Sequence, residues 1–167
     1  MTQLHQKPRS EQSLSDEWET PNELFNFLIS KTGIKPKLDV CATMQNRKCV
    51  FHYGFDSELK DGKDGLSAEW FADTWCNPPH SLTGKFVEKA YRENKEHPNG
   101  IRVLMLIPAN TMSSNYFHEY VLNNVRASYF PIKGRIKFLQ NGKESKFISR
   151  NAYICVVFNH RLDGFEL

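Results

Sequence analysis

Ile101-Arg102-Val103-Leu104-Met105-Leu106-Ile107 is the most strand-like run in this 167-residue chain. Its residues are apolar almost without interruption. A strand with one face in water alternates apolar and polar residues, so this pattern predicts a strand covered on both faces of its sheet. Pro98-Asn99-Gly100 separates the run from a helix-like segment that precedes it.

Helix and strand patterns alternate on both sides of this run. One helix is predicted to have Thr20 as its N-cap, Pro21 in its first position and Glu23 in a capping box, and to end near Gly33. Residues 53–67 are rich in glycine and aspartate, which predicts a loop. The other predicted elements are helices at about 82–96 and 114–123, strands at 37–42, 71–76, 127–130, 134–139 and 152–158, and a turn at 140–143.

This order of elements predicts an α/β fold. Alternating strands and helices favour a mixed, mostly parallel sheet with helices on both faces, and the strands that crowd together late in the chain predict an antiparallel edge. The length suits one domain, which we place at residues 16–167, after a polar and flexible arm at residues 1–15.

Composition argues against several classes of protein. No apolar run approaches the roughly 18 residues of a membrane span, and the polar N-terminus lacks a signal-peptide core, so a cytoplasmic protein is expected. The four cysteines have neither the spacing of a disulfide framework nor a Cys-x2-Cys pair, so we expect reduced thiols and no metal. A net charge of +3 and a pI of about 8.6 are compatible with nucleic-acid binding. The oligomeric state stays open.

The motif Asn77-Pro78-Pro79-His80 follows the predicted strand at 71–76. Because two prolines restrict the backbone, the Asn77 side-chain oxygen and the Pro78 carbonyl can act as two fixed acceptors. Two acceptors bind both hydrogens of an exocyclic amino group and turn its lone pair toward a methyl donor. The His80 ring offers a flat face on which a flipped-out base can stack. The alternative interpretation is a proline-rich loop without catalytic function.

Asp39 is a second candidate, because it lies within the predicted strand at 37–42, and Ala42 and Thr43 open the loop that follows. Ligands of open α/β sheets bind at the carboxyl ends of the strands. An acid there can accept from a cationic amino group or a ribose hydroxyl, and S-adenosylmethionine has both. Alternatively, Asp39 makes a turn or a cap. The chain lacks the glycine-rich loops of NAD, FAD and ATP sites.

Six short sequence motifs follow one another along the chain. They are Trp18-x-Thr20-Pro21-x2-Leu24-Phe25; Leu38-Asp39-Val40-Cys41-Ala42-x3-Asn46-x2-Cys49; Asp64-Gly65-Leu66-x3-Trp70; Trp75-Cys76-Asn77-Pro78-Pro79; Leu106-Ile107-Pro108-Ala109-x-Thr111 with Phe117-His118; and Gly134-Arg135-Ile136-Lys137-Phe138. Together they resemble the phage-type DNA adenine-N6 methyltransferases, the phage Dam family. The resemblance covers roughly residues 16–158.

The resemblance implies a Rossmann-like methyltransferase fold, S-adenosylmethionine as the cofactor and double-stranded DNA as the partner. The cofactor residues that it implies are Thr20, Pro21, Asp39, Ala42 and Asn46, with Asp64 and Leu66 beside the cofactor's adenine. Asn77, Pro78 and Pro79 correspond to the family's catalytic motif. The family usually has Tyr or Phe at the next position, where this chain has His80, so a smaller ring takes the stacking position.

A basic segment near the end of the chain also indicates nucleic acid. Between positions 133 and 150 there are six basic residues and one acidic residue, a local charge of +5. Aromatic residues are interleaved with them, and this combination suits a phosphate backbone. The alternative is a solvated hairpin whose aromatic residues point inward. The predicted DNA-binding residues are Lys133, Arg135, Lys137, Lys143 and Lys146.

These observations favour an enzyme that methylates the exocyclic amino group of adenine in DNA. Methylation of another planar amino group, such as cytosine N4, RNA adenine or protein glutamine, is an alternative within enzymes. A catalytically silent DNA-binding protein that keeps the fold is an alternative of a different class. If a phage or virus encodes the chain, the expected location is the cytoplasm of the host cell.

Overall fold

The computed structural model of the chain describes residues 18–97, 100–145 and 148–159. The strands are β1 (Leu38–Asp39), β2 (Phe51–His52), β3 (Thr74–Cys76), β4 (Val103–Pro108), β5 (Ala127–Pro131), β6 (Leu139–Gln140), β7 (Lys143–Glu144) and β8 (Tyr153–Phe158). The helices are α1 (Asn22–Thr32), α2 (Thr83–Glu96) and α3 (Asn115–Phe117), with a π-helical turn at His118–Leu122 and 3-10 turns at His80–Leu82 and Ala109–Ser113. The predicted arm at 1–15 lies outside the described residues.

Six of the strands form one mixed sheet, in the order β2-β1-β3-β4-β8-β5. Strands β2, β1, β3 and β4 run parallel, and β8 pairs antiparallel with both β4 and β5. The prediction of a mixed, mostly parallel sheet is confirmed. The antiparallel strand, however, is not the edge, because β5 lies outside it.

The β4 strand is buried along its whole length, as its sequence predicts. Val103, Met105 and Ile107 pack in the same hydrophobic cluster as residues of α2 and α3. Leu104 and Leu106 point the other way and pack with residues of α1. Helices therefore cover both faces of the sheet, and the continuous apolar run reflects burial on two sides.

The start of α1 differs from the prediction. Pro21 is the N-cap, the helix begins at Asn22, and the cap makes no side-chain hydrogen bond. The Thr20 hydroxyl accepts a hydrogen bond from the Asn77 side chain instead, so a partner distant in the sequence replaces the expected capping box. Gly33 ends the helix in the left-handed conformation with φ of 69°, as expected for a helix-terminating glycine.

Three further elements differ from the sequence prediction. Residues 134–138 form no strand, because their alternating side chains find no partner strand along that segment. The predicted helix at 114–123 is a short α-helix followed by a π-helical turn, in which Asn123 N–H donates to the His118 carbonyl over 3.0 Å. The two-residue strand β2 lies just before the predicted loop and was not predicted from the sequence. Among the described residues, no helix is long and apolar enough to cross a bilayer.

Candidate active site

A cavity of about 650 Å³ lies at the carboxyl ends of β1 and β2, beside the turn that follows β3. Its volume is in the range of small-molecule and cofactor sites. The loop after β1 contributes Val40, Cys41, Ala42, Thr43, Gln45 and Asn46; the loop after β2 contributes Tyr53, Gly54, Phe55, Lys63, Asp64 and Gly65; and Glu19, Pro79, Leu82, Phe86, Gln140 and Asn141 complete the wall. The cavity therefore lies at the strand ends where the sequence predicted a ligand.

Two glycines let the loop after β2 approach the loop after β1. A Cβ atom on Gly54 would lie 1.9 Å from the Ala42 carbonyl oxygen, and a Cβ atom on Gly65 would lie 2.2 Å from the Val40 carbonyl oxygen. No side chain fits at either position, so backbone packs directly on backbone. In this part of the cavity wall the two loop backbones are in direct contact, and no space is left for a side chain between them.

Asp39 is buried at the end of β1 and makes a turn with its carboxylate. Oδ1 accepts from the Cys41 N–H over 3.2 Å, and Oδ2 accepts from the Lys48 N–H over 2.9 Å. Burial raises the pKa of Asp39 to about 6, and the two backbone hydrogen bonds oppose that rise. The structural alternative for Asp39 is therefore observed, and its contact with a cofactor stays a prediction.

The side chain of Asn77 is hydrogen-bonded to the segment Trp18–Thr20, which we call the strap. Its Nδ2 donates to the Trp18 carbonyl over 3.3 Å and to the Thr20 hydroxyl over 3.1 Å. A carbonyl can only accept, so the amide NH2 must face the strap, and Oδ1 remains as the acceptor of this side chain. This orientation is the one that binding an amino group requires.

His80 is fixed by a partner that sequence reasoning missed. Its Nε2 lies 2.8 Å from the hydroxyl oxygen of Tyr153, which is 73 residues away in the chain. Trp18 stands edge-on to the His80 ring at 6.2 Å and stacks on Phe138 at 5.3 Å, and Phe138 in turn contacts Tyr153. We call these four side chains the aromatic cluster. The aromatic cluster borders Asn77. Its members lie far apart in the sequence, so no local pattern could have predicted it.

The predicted cofactor residues are divided between two neighbouring spaces. Ala42, Asn46 and Asp64 line the 650 Å³ cavity. Thr20, Asp39 and again Asn46 line a cleft of about 20 Å³ that also reaches Asn77. Pro21 caps α1, and Leu66 is partly buried against the core; neither lines these two spaces.

An ion pair closes the region between these spaces and α1. Lys48 Nζ lies 3.1 Å from Glu19 Oε1 and donates to Asn22 Oδ1 over 2.8 Å. Both side chains of the ion pair are largely shielded from solvent. Glu19 also lines the large cavity, so its carboxylate is held in place at the edge of that space.

The predicted DNA-binding side chains are exposed where the structure describes them, and Lys146 lies outside the described residues. Lys133, Arg135, Lys137 and Lys143 all face solvent, and Arg135 also donates to the Arg150 carbonyl over 2.6 Å. Phe138 is buried in the aromatic cluster and does not face outward. Phe138 therefore points inward, as expected from the alternative of a solvated hairpin with inward-pointing aromatic residues.

No group of three or more histidine, cysteine, aspartate or glutamate side chains in the described part of the chain is arranged to hold a metal ion. All four cysteines are free thiols. Cys41 and Cys76 are neighbours, with their sulfur atoms 3.8 Å apart, and burial raises the pKa of the Cys41 thiol well above its ordinary value. The Cys41 thiol therefore stays protonated near neutral pH.

Comparison with known proteins identifies the family. The family model described as DNA N-6-adenine-methyltransferase (Dam) matches residues 7–164. A DNA N-6-adenine-methyltransferase of Escherichia phage T1 is 29% identical over 161 residues, covering 87% of this chain and 63% of the relative. One of Haemophilus phage HP1 is 26% identical over 136 residues, covering 81% of this chain and 73% of the relative. The resemblance found in the sequence motifs is confirmed, and the chain belongs to the DNA N-6-adenine-methyltransferase (Dam) family.

Proposed function

We propose that this chain transfers a methyl group from S-adenosylmethionine to the exocyclic amino group of adenine in double-stranded DNA. The observation that carries the proposal is the orientation of Asn77, whose NH2 group is bound by the strap so that Oδ1 is left as an acceptor. Membership of the family supports adenine as the target. The parallel strands with helices on both faces support a Rossmann-like methyltransferase fold.

The cavity fits a nucleoside-sized cofactor in volume and in chemistry. Ala42, Asn46 and Asp64 would hold the cofactor directly, since apolar, amide and carboxylate groups together suit an adenosyl and amino-acid ligand. Thr20, Pro21, Asp39 and Leu66 would shape and support the same site. When bound, S-adenosylmethionine supplies an activated methyl group on a sulfonium.

The residues of the motif then act by positioning. Asn77 Oδ1 and the Pro78 carbonyl accept the two hydrogens of the target amino group, which directs its lone pair toward the cavity. Pro79 lines that cavity and restricts the backbone between the two sites. His80, held by Tyr153, serves as the platform for the flipped base. Holding the reactants in line supplies most of the rate acceleration, without a covalent intermediate.

The exposed basic side chains support DNA as the substrate. Lys133, Arg135, Lys137 and Lys143, together with Lys146, would neutralise phosphates along the duplex. The relatives are encoded by phages, so we place the activity in the cytoplasm of the host cell.

The test is transfer of tritium from labelled S-adenosylmethionine to DNA, RNA and protein in parallel, followed by analysis of the labelled base. Label in N6-methyladenine of DNA, lost in Asn77→Ala, is the expected result. Label in cytosine, RNA or protein would favour another planar amino group. DNA binding without transfer to any acceptor would favour a silent DNA-binding protein.

A further inference from the structure

The hairpin of β6 and β7 borders the large cavity and also carries an exposed lysine. Its residues Gln140 and Asn141 line the cavity, opposite the loop after β1. Lys143 lies in β7 with its side chain exposed. Asn141 and Gly142 have φ values of 51° and 74°, the conformation of a tight two-residue turn. One small element thus combines part of the cavity wall with an exposed basic side chain.

This hairpin is joined to the strap, and through it to Asn77. Glu19 and Leu139 exchange two backbone hydrogen bonds, of 2.9 and 2.8 Å. Trp18 stacks on Phe138, the residue before β6. Trp18 and Thr20 of the strap bind the NH2 group of Asn77, so a displacement of the hairpin acts on the segment that orients this amide.

The hairpin has few other backbone partners. Within the part of the chain that the structure describes, strands β6 and β7 pair with each other over two residues and with Glu19 through a bridge, and they do not join the six-stranded sheet. A two-stranded hairpin of this size is marginally stable by itself. Ligands that bind to its side chains therefore contribute to holding it in position.

We propose that this hairpin is a clamp: the side chains of Gln140 and Asn141 bind the cofactor, and the exposed Lys143 side chain binds a phosphate of DNA. Each amide side chain offers a carbonyl acceptor and two N–H donors, which suit the hydroxyl, carboxylate and amino groups of a nucleoside–amino acid ligand. This inference rests on the proposed function. It adds that each ligand strengthens the binding of the other, because both hold the same hairpin in position. Coupling between two sites is reciprocal, so both affinities change by the same factor.

The experiment is titration calorimetry with the demethylated product S-adenosylhomocysteine, which avoids turnover, with and without a DNA duplex. Three proteins are compared: the parent, the double variant Gln140→Ala/Asn141→Gly, and the variant Lys143→Ala. Glycine tolerates the positive φ at position 141, so the turn is retained. Unchanged thermal unfolding midpoints check that all three proteins are folded.

In the parent, we expect S-adenosylhomocysteine to raise DNA affinity by about fivefold or more, within the usual range of coupling between sites. The double variant should bind S-adenosylhomocysteine more weakly without DNA and show a coupling factor close to one. Lys143→Ala should bind DNA more weakly and keep the parent's affinity for S-adenosylhomocysteine without DNA.

The possible failures are separable. If the parent binds no S-adenosylhomocysteine, the proposed function itself fails. If the parent binds it and methylates DNA, but the double variant keeps both the parent's affinity and its coupling factor, the clamp is refuted and the methyltransferase stands. A coupling factor of one in the parent refutes the clamp in the same way.

Discussion

The two sides of the cavity are built differently. On the sheet side, Gly54 and Gly65 press backbone against backbone, and the Asp39 carboxylate holds the N–H groups of Cys41 and Lys48. On the hairpin side, one bridge to Glu19 and the stacking of aromatic rings are the main attachments. The sheet side is held by close backbone packing, whereas the hairpin side is held by fewer backbone contacts.

This difference suggests that the two sides of the cavity bind different ligands. A ligand that needs a defined geometry is best held against the rigid side, because packed interiors resist small displacements. A substrate that must enter and leave is best bound by an element with few internal bonds. Substitutions on each side of the cavity, and at the junction between them, test whether the two sides differ in this way.

The largest effect is expected at Asn77, at the junction of the two sides. Asn77→Ala should lower the rate of methyl transfer by about a hundredfold or more, because the amino group loses an acceptor and its alignment. Affinity for S-adenosylmethionine should change little. Single-turnover kinetics and calorimetry measure the two quantities separately. Loss of cofactor affinity together with activity would place Asn77 in the cofactor pocket and contradict the assignment.

A large effect on stability is expected from overpacking the rigid side. Gly65→Ala should lower the free energy of unfolding by about 3 kcal/mol, the upper part of the usual range for forced core insertions, because the new methyl group meets the Val40 carbonyl. Gly134→Ala is the control, since open space surrounds that position and only the strain at φ of 75° is added, about 1 kcal/mol. Urea unfolding compares the two. Equal losses of stability would show that the sheet side is not tightly packed.

The buried Asp39 predicts a pH dependence of stability. Its pKa is about 6 in the folded chain and near the ordinary 3.8 when unfolded, so the folded state binds a proton that the unfolded state has released between those values. Stability should therefore fall by roughly 3 kcal/mol as pH rises from about 4 to 6, and stay level above it as far as Asp39 is concerned. Urea unfolding of the parent and of Asp39→Asn across this range tests it. The variant should lack this component of the slope; identical slopes would show that Asp39 titrates normally.

A smaller effect is expected in the aromatic cluster. His80→Ala should weaken target binding or transfer by about 1–3 kcal/mol, the value of one stacked base. Tyr153→Phe should lose only part of that, since the ring stays packed and the hydrogen bond to Nε2 goes. Transfer to an adenine-containing duplex is measured for both, with His80→Tyr as the substitution toward the usual family residue. If His80→Ala equals the parent, another side chain holds the base.

The smallest effect is expected from the basic segment near the end of the chain. Charge reversal at Lys143 and Lys146 should weaken binding to all DNA sequences alike and make the salt dependence less steep, by about one unit of slope for each phosphate that is no longer neutralised. DNA titrations at several salt concentrations measure it. An unaltered slope would place the phosphate-binding side chains elsewhere in the chain.

Local pattern was sufficient for the central part of the fold. The continuous apolar run around β4 predicted burial on both faces, and Gly33 predicted the end of α1. Both signals act over a few neighbouring residues. The prediction at Thr20 was wrong because a distant residue took its side chain as a partner, and the predicted strand at 134–139 was wrong over 134–138, where no partner strand lies alongside.

Residue type and short spacing were enough to determine the α/β class and the position of the Asn77-Pro78-Pro79 motif directly after a strand, and the resemblance of the motifs to a known family gave the family. The orientation of the Asn77 amide, the partner of His80 and the position of the hairpin over the cavity became visible only in three dimensions. These features join Trp18, Tyr153 and Gln140 to residues far away in the chain. Such long-range pairings are set by how strands and loops meet in space, which no local pattern encodes.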